Sequence, residues 1–289
     1  SKHGITHSVA ANTSLFVSNR LVIKAFRRME AGINPEIEVA GHLNEAAASV
    51  RTPRTAGWAV YRRRDGSEFA LALVQQFLEN QGDAWNWTLD FLGQLYERLL
   101  AGPRPPPGSP DFTSRVTELA AAYPLLAETL GRRTAELHRA LAGSSRSFAF
   151  FPEPVTAADR RRWFNEISAR EREVLGSLDA AVSGRPELSP LVTAVLAARK
   201  RLRSIYLQVT RAPLKATRIR VHGDYHLGQL LVVENDVRIL DFEGRTDRPL
   251  VGRREKEIPL VDVASMLRSF HYAAEVPLEE AAEGRGRDL

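Results

Sequence analysis

Two aspartates set seventeen residues apart, Asp224 and Asp241, are the side chains of this 289-residue chain best suited by type and spacing to do chemistry. Asp224 sits in His222-Gly-Asp-Tyr-His-Leu-Gly-Gln229, five residues before Gln229. The loop pattern H-R-D-L-x-x-x-N sets the same separation between a proton-accepting aspartate and a metal-binding amide. Asp241 follows the run Val237-Arg-Ile-Leu240 and opens Asp241-Phe-Glu-Gly244, a relative of the D-F-G metal site. One carboxylate on a loop and one just after a strand can converge on ATP and Mg²⁺. The chemistry implied is phosphoryl transfer, which asks a protein for a positioned nucleophile and neutralised charge.

In this reading Asp224 is the base that accepts or orients the acceptor's hydroxyl proton. Asp241 is the principal Mg²⁺ ligand, because hard cations take oxygen donors. Gln229 offers an amide oxygen for a second Mg²⁺, directly or through water, or else serves as a structural amide holding the loop. Lys24, mid-strand in Leu21-Val-Ile-Lys-Ala-Phe26, resembles the strand lysine of V-A-I-K that contacts ATP phosphates. Its expected ion-pair partner is Glu38. Glu36 is the competitor, almost on the opposite side of the same predicted helix. Asn12, Thr13 and Ser14, with Ala11, stand where a phosphate-covering loop belongs, without the usual glycines. Gln76 and Leu78, in Gln75-Gln-Phe-Leu78, take the place of an adenine-binding hinge.

His226, Glu243 and Arg245 are close enough in sequence to line an acceptor pocket. His222 reads as a loop-organising hydrogen bonder, and His226 as that or a substrate contact. Glu243 reads as a metal or sugar contact, or as an arginine partner. No third ligand lies at close spacing to make the histidines a zinc site. Asp262, opening a helix after Pro259, is expected to accept N–H groups from the catalytic loop.

The elements that must hold these groups change character near Leu78. Residues 14–18 and 20–26 read as a hairpin, Pro35 to Glu45 as a helix, and 57–62 and 68–77 as strands joined at Asp65-Gly66. After Leu78 the periodicity predicts helices over 87–100, 113–142, 156–182, 188–210 and 260–274, with short strands at 230–233 and 237–240. Pro103 to Pro110 reads as a stiff loop. The fold class is α+β and two-lobed: a small antiparallel-sheet lobe over 1–78, its hinge near 75–78, and a helical lobe over 79–289 carrying the catalytic loop, metal site and acceptor pocket.

Apolar residues make up 44% of the chain and charged residues 26%, an ordinary balance for a globular domain. The net charge of +5 comes from arginines scattered over predicted helices, which disfavours a nucleic-acid partner. The absence of cysteine excludes disulfides and thiolate chemistry. No apolar run is long enough for a bilayer, and no signal-peptide core is seen, so the expected location is cytoplasmic without a membrane partner. The start at Ser1 rather than Met suggests a piece of a longer protein.

His222 to Gln229, Asp241 to Gly244, Arg248-Pro-Leu250 and Pro259 to Ala274 together resemble bacterial maltokinases, above all the kinase domain fused to trehalose synthase. Asn12-Thr-Ser14, Ile23 to Arg28, Gly32 to Glu38 and Leu130 to His138 match the same family. The resemblance implies a eukaryotic-like kinase fold related to aminoglycoside phosphotransferases. It also implies transfer from ATP to maltose, giving maltose 1-phosphate for α-glucan synthesis. By position it makes Asp224 the base, Gln229 and Asp241 the Mg²⁺ ligands, and Lys24 with Glu38 the ATP-side pair. Trehalose synthase is the implied partner, fused or in complex. The family's N-terminal cap and its C-terminal helices have no counterpart here, and Glu279 to Leu289 reads as a disordered charged tail. The alternatives are a kinase for another acceptor, such as an amino sugar or aminoglycoside, or a scaffolding domain docking to trehalose synthase. Arg245, Arg248, Arg253 and Arg254 crowd the region after Asp241 and are expected to disfavour a cationic acceptor.

Overall fold

A computed structural model describes residues 4–6, 12–46, 50–103, 105–143 and 147–285. Ala11, in the expected phosphate loop, lies outside them. The chain opens with strands β1 (Gly4–Thr6), β2 (Asn12–Val17) and β3 (Leu21–Phe26), then helix α1 (Pro35–Ala46), then β4 (Thr55–Arg62) and β5 (Glu68–Gln76). These five strands form one antiparallel sheet in the order β1-β2-β3-β5-β4. Ser18 and Asn19 join β2 to β3, both at φ 51°, and Arg20 N–H bonds the Val17 carbonyl at 3.0 Å. Two central residues with positive φ match the right-handed twist of the strands they connect. The Asp65-Gly66 turn between β4 and β5 places Gly66 at φ 86°, with Asp65 accepting from the Ser67 N–H.

Asn34 starts α1: its side chain accepts from the Glu36 and Ile37 N–H groups, and Pro35 takes the first helical position. Next come α2 (Ala84–Ala101), capped by Asp83, and α3 (Pro110–Leu119), capped by Ser109. Then follows α4 (Ala122–Leu141). The single helix expected over 113–142 is thus two. Pro124 is the cause, since it lacks an N–H and its ring crowds the carbonyl four residues back, at Ala120.

After Phe150 the order is β6 (Glu153–Pro154), α5 (Ala157–Gly184), α6 (Ser189–Arg211), β7 (Thr217–Arg218), β8 (Leu230–Val233), β9 (Asp236–Ile239), α7 (Leu250–Arg253) and α8 (Leu260–Arg285). The charged stretch from Glu279 therefore continues α8 as far as Arg285, and only its last four residues lie outside the described ones. Pro277 removes one N–H from this helix and its ring crowds the Ala273 carbonyl, while the Glu-Glu-Ala-Ala-Glu run beyond it favours helix.

Contacts divide the chain into two units, one of residues 1–152 with 219–289, the other of residues 153–218. The change from sheet to helix near Leu78 falls inside the first unit. Its core gathers Val39 and Leu43 of α1, Leu137 and Leu141 of α4, and Tyr225, Leu230 and Ile239 around β8 and β9. Arg133 on α4 grips Asp236 of β9 through Nε and Nη2 at 2.8 and 2.9 Å. The second unit is an antiparallel pair, α5 and α6, closed at its base by β6 and β7. Among the described residues, no helix is long and apolar enough to cross a membrane.

Candidate active site

The loop from His222 to Gln229 is pinned by its backbone. Asp262, 1% exposed at the start of α8, accepts the His222 N–H on Oδ2 and the Gly223 N–H on Oδ1, both at 2.9 Å. His138 Nε2 lies 2.9 Å from Asp262 Oδ2. The supporting role expected of Asp262 matches this geometry. His222 is fully buried, and its Nε2 bonds the Leu240 carbonyl at 2.7 Å, tying the loop to the residue before Asp241. Burial lowers the His222 pKa despite the pull of Asp262. A neutral ring can also accept the Asp224 N–H on Nδ1 at 3.4 Å. Gly223 has φ +84°, and a Cβ there would stand 3.2 Å from Gly244 Cα, so the loop and the Asp241-Phe-Glu-Gly244 segment approach closely because residue 223 is glycine.

Asp241 has φ 59°, a left-handed conformation rare for a non-glycine residue. Its carboxylate meets Lys24 Nζ at 2.5 Å. Lys24 also reaches Glu36 at 2.9 Å and Glu243 at 2.6 Å, and the Asn12 amide donates to Glu243. Burial disfavours the ammonium, but Glu36, Asp241 and Glu243 more than offset it and hold the Lys24 pKa well above its ordinary value. Burial pushes Glu36 up to about 8 against the pull of Lys24, with Asp241 and Glu243 adding to the rise. One ammonium thus faces three carboxyl groups, of which Glu36 holds its proton most tightly.

The expected Lys24–Glu38 pair does not form. Two residues along a helix turn a side chain by roughly 200°, so only one of the two glutamates can face Lys24. Glu36 shares a stripe with Val39, Ala40 and Leu43, all buried, and turns inward to 1% exposure. Glu38 binds Arg220 at 2.7 Å and Arg254 at 2.6 and 2.8 Å instead. The buried stripe at positions 36, 39, 40 and 43 was the sequence signal for the right partner.

A cavity of about 630 Å³ collects most of the remaining candidates: Asn12, Ser14, Lys24, Gln76, Leu78, Asp224, Gln229, Asp241 and Glu243. Phe16, Val22, Leu231 and Leu240 give it apolar walls, which the sequence reading did not single out. Thr13, between two cavity-lining neighbours on β2, does not line it, as strand alternation requires. The Gln76 N–H is already bonded to the Arg54 carbonyl and that of Phe77 to the Arg20 carbonyl, while the Leu78 N–H has no backbone partner among the described residues. His226 stays outside the lining. Its Nδ1 accepts the Gly228 N–H at 3.1 Å, and its Nε2 is 3.9 Å from Asp224. Arg245 turns to Asp247, with contacts of 2.7 and 3.2 Å.

The donors in this cavity fit Mg²⁺. Asp241 offers a carboxylate that is 44% exposed, and its second oxygen has no hydrogen-bond partner among the described residues. Gln229 lines the same space with an amide oxygen. Both are hard oxygen ligands of the kind magnesium takes alongside phosphates.

No protein-family model matches the chain. It is 28% identical over 266 residues to a glucosamine kinase of Streptacidiphilus jiangxiensis, covering 92% of this chain and 53% of that protein. To a glucosamine kinase of Mycolicibacterium smegmatis it is 24% identical over 272 residues, covering 91% of this chain and 57% of the relative. Among solved structures, a glucosamine kinase in complex with glucosamine, ADP and inorganic phosphate superposes with a TM-score of 0.70 at 25% identity, covering 96% of this chain and 60% of that one. The chain thus spans a little over half the length of the curated relatives it matches. It has a kinase-like fold, with a small antiparallel-sheet lobe and a mostly helical remainder.

Proposed function

We propose that this chain carries the nucleotide-binding and phosphoryl-transfer site of an ATP-dependent sugar kinase whose acceptor is an amino sugar. The observation that carries the reading is the convergence of Lys24, Asp224, Gln229 and Asp241 on one cavity with an apolar end. Phe16, Val22, Leu231 and Leu240 supply surfaces for an adenine ring, and the Leu78 N–H is the hinge donor left for it. Lys24 binds phosphate oxygens, and Glu36 keeps its ammonium in place. Asp241 and Gln229 hold Mg²⁺, which supplies neutralisation of phosphate charge. Asp224, half exposed at the cavity, accepts the proton of the acceptor hydroxyl. Positioning and fixed charge are the main demands of this transfer.

Two observations favour an amino sugar. The matched relatives are glucosamine kinases. The arginines expected to repel a cation are themselves paired: Arg245 with Asp247 at 2.7 Å, Arg253 with Glu30 at 3.4 Å, Arg254 with Glu38 at 2.6 Å. Asp83, Asp224, Asp241 and Glu243 then leave the cavity lining acidic. The second reading, maltose phosphorylated at its anomeric hydroxyl with trehalose synthase as partner, rests on the motif resemblance of the catalytic loop and of Pro259 to Ala274.

The test is ADP release by the full-length protein, with ATP and Mg²⁺, over glucosamine, maltose and related sugars. Glucosamine is the expected preferred acceptor. Maltose preference would select the second reading, and no sugar-dependent ADP release would remove both.

A further inference from the structure

The second unit carries a feature that phosphoryl transfer does not use. Residues 153–218 contain thirteen Lys and Arg against seven Asp and Glu, a net +6, whereas the whole chain is +5. All of the excess positive charge therefore belongs to this helix pair. α6 alone has five basic residues, Arg199, Lys200, Arg201, Arg203 and Arg211, and no acidic one.

The same helix exposes an apolar stripe. Leu191, Val195, Leu202 and Ile205 are 43–66% exposed, and with Ala198 they recur at alternating spacings of four and three. That repeat is the seam of a helix that packs on another helix. It is not the face turned to α5. The partner face is marked by Arg199 bonded to Glu171 at 2.8 Å, by the Tyr206 hydroxyl donating to the same carboxylate, and by buried Val192. At about 100° per residue, the stripe lies roughly a quarter-turn from the partner face. On α5, Ile167 and Val174, 42% and 43% exposed, lie about the same angle from the face that packs on α6. Because the two helices run antiparallel, both displacements point to the same side of the pair. The six side chains form one two-helix apolar surface.

We propose that this surface seats one acidic amphipathic helix of a partner protein as the third helix of a bundle. Heptad spacing selects a helix, and charge selects its sequence. Arg201 flanks the stripe, is exposed and makes no ion pair among the described residues, so it is available to a carboxylate on the incoming helix. A second copy of this chain is disfavoured, since it would bring five more cations and no acid from its own α6. The seam is aliphatic, without the aromatic residues on which nucleic-acid bases stack.

The test uses the whole chain and a fluorescent synthetic peptide with Leu at positions a and d and Glu at e and g, compared with the same peptide carrying Lys at e and g. The Glu peptide is expected to bind and the Lys peptide not. Binding should weaken with added salt, by about tenfold in Leu202→Glu, and by several-fold in Arg201→Glu, which leaves the apolar seam intact. Circular dichroism of both variants checks that the helices remain. Three results would overturn the proposal: equal binding of the two peptides, full binding by Leu202→Glu, or no peptide binding alongside saturable binding to phosphatidylglycerol vesicles. Self-association of the chain that Leu202→Glu abolishes would also overturn it, in favour of a second copy as the occupant.

Discussion

Lys24 of β3 pairs with Glu36, the second residue of α1, at 2.9 Å, while Glu38 on the same turn binds Arg220 and Arg254. The two glutamates therefore do different work, and substitution separates them. Glu36→Ala leaves Lys24 to the other carboxylates of the cluster, which draw it away from incoming phosphates. The expected result is a fall in kcat/KM for ATP of roughly tenfold or more, with a modest change in thermal midpoint. Glu38→Ala leaves Arg220, 2% exposed, without its carboxylate, and is expected to destabilise the fold by about 3 kcal/mol. Nucleotide titration and urea unfolding of both variants check the split. Equal effects on ATP affinity would contradict it.

Much of the site was legible because short loops fix it. The five-residue separation of Asp224 from Gln229 and the placement of Asp241 just after a strand survive folding with little freedom. The Asp65-Gly66 turn and the Asp83 cap were equally local. The choice of Glu36 was harder, since it depends on which stripe of α1 is buried, and that is settled by residues more than a hundred positions away, such as Leu137 and Ile239. The fate of Arg254 was hidden for the same reason, since its carboxylate partner, Glu38, comes from the far end of the chain. Arg245 pairs with Asp247 only two residues away, a local signal that the sequence carried. The break between α3 and α4 was present in the sequence, in Pro124, but helical periodicity across it masked the signal.

Glu36 also predicts a pH dependence. Its folded pKa is raised, chiefly by burial, to about 8, above the ordinary value of 4.5. A group raised in this direction contributes stability that is fully present below the unfolded value and is lost as pH rises through the folded one. Stability should therefore decline between about pH 5 and pH 8 by this contribution. Glu36→Gln keeps the shape and removes the titration, so its urea midpoint should fall less over that window than that of the parent. Parallel profiles for the two proteins would show that another group governs the dependence.

Gly223 and Gly244 touch where a side chain would not fit. Gly223→Ala places a Cβ 3.2 Å from backbone at Gly244, at a φ of +84° that alanine adopts with strain. The expected cost is about 1–3 kcal/mol of stability. Turnover should fall further than stability explains, because the displaced backbone belongs to the residue before Asp224 and to the segment that carries Asp241. Comparing kcat at a temperature where the variant is fully folded checks this. Gly66→Ala, at φ +86° with nothing within 4 Å of the new Cβ, is the control for backbone strain without crowding.

The last prediction separates the two aspartates. Asp224 has half its side chain exposed at the cavity, and the only ion-pair contact it shows among the described residues is the 3.9 Å approach of His226. Asp241 is bonded to Lys24 and forms part of the three-carboxylate cluster with Glu36 and Glu243. If Asp224 handles the acceptor's proton, Asp224→Asn should lower kcat by about 10²–10⁴-fold while leaving nucleotide binding nearly intact. If Asp241 holds Mg²⁺, Asp241→Asn should lower kcat by a comparable factor and also weaken Mg²⁺-dependent ATP binding. The same substitution removes a negative charge that faces Lys24, so metal-free nucleotide binding should hold or strengthen. Calorimetric titration with ATP, with and without Mg²⁺, reads both terms. Loss of metal-dependent binding in Asp224→Asn, with binding by Asp241→Asn unchanged, would reverse the two roles while leaving the cavity as the site of transfer.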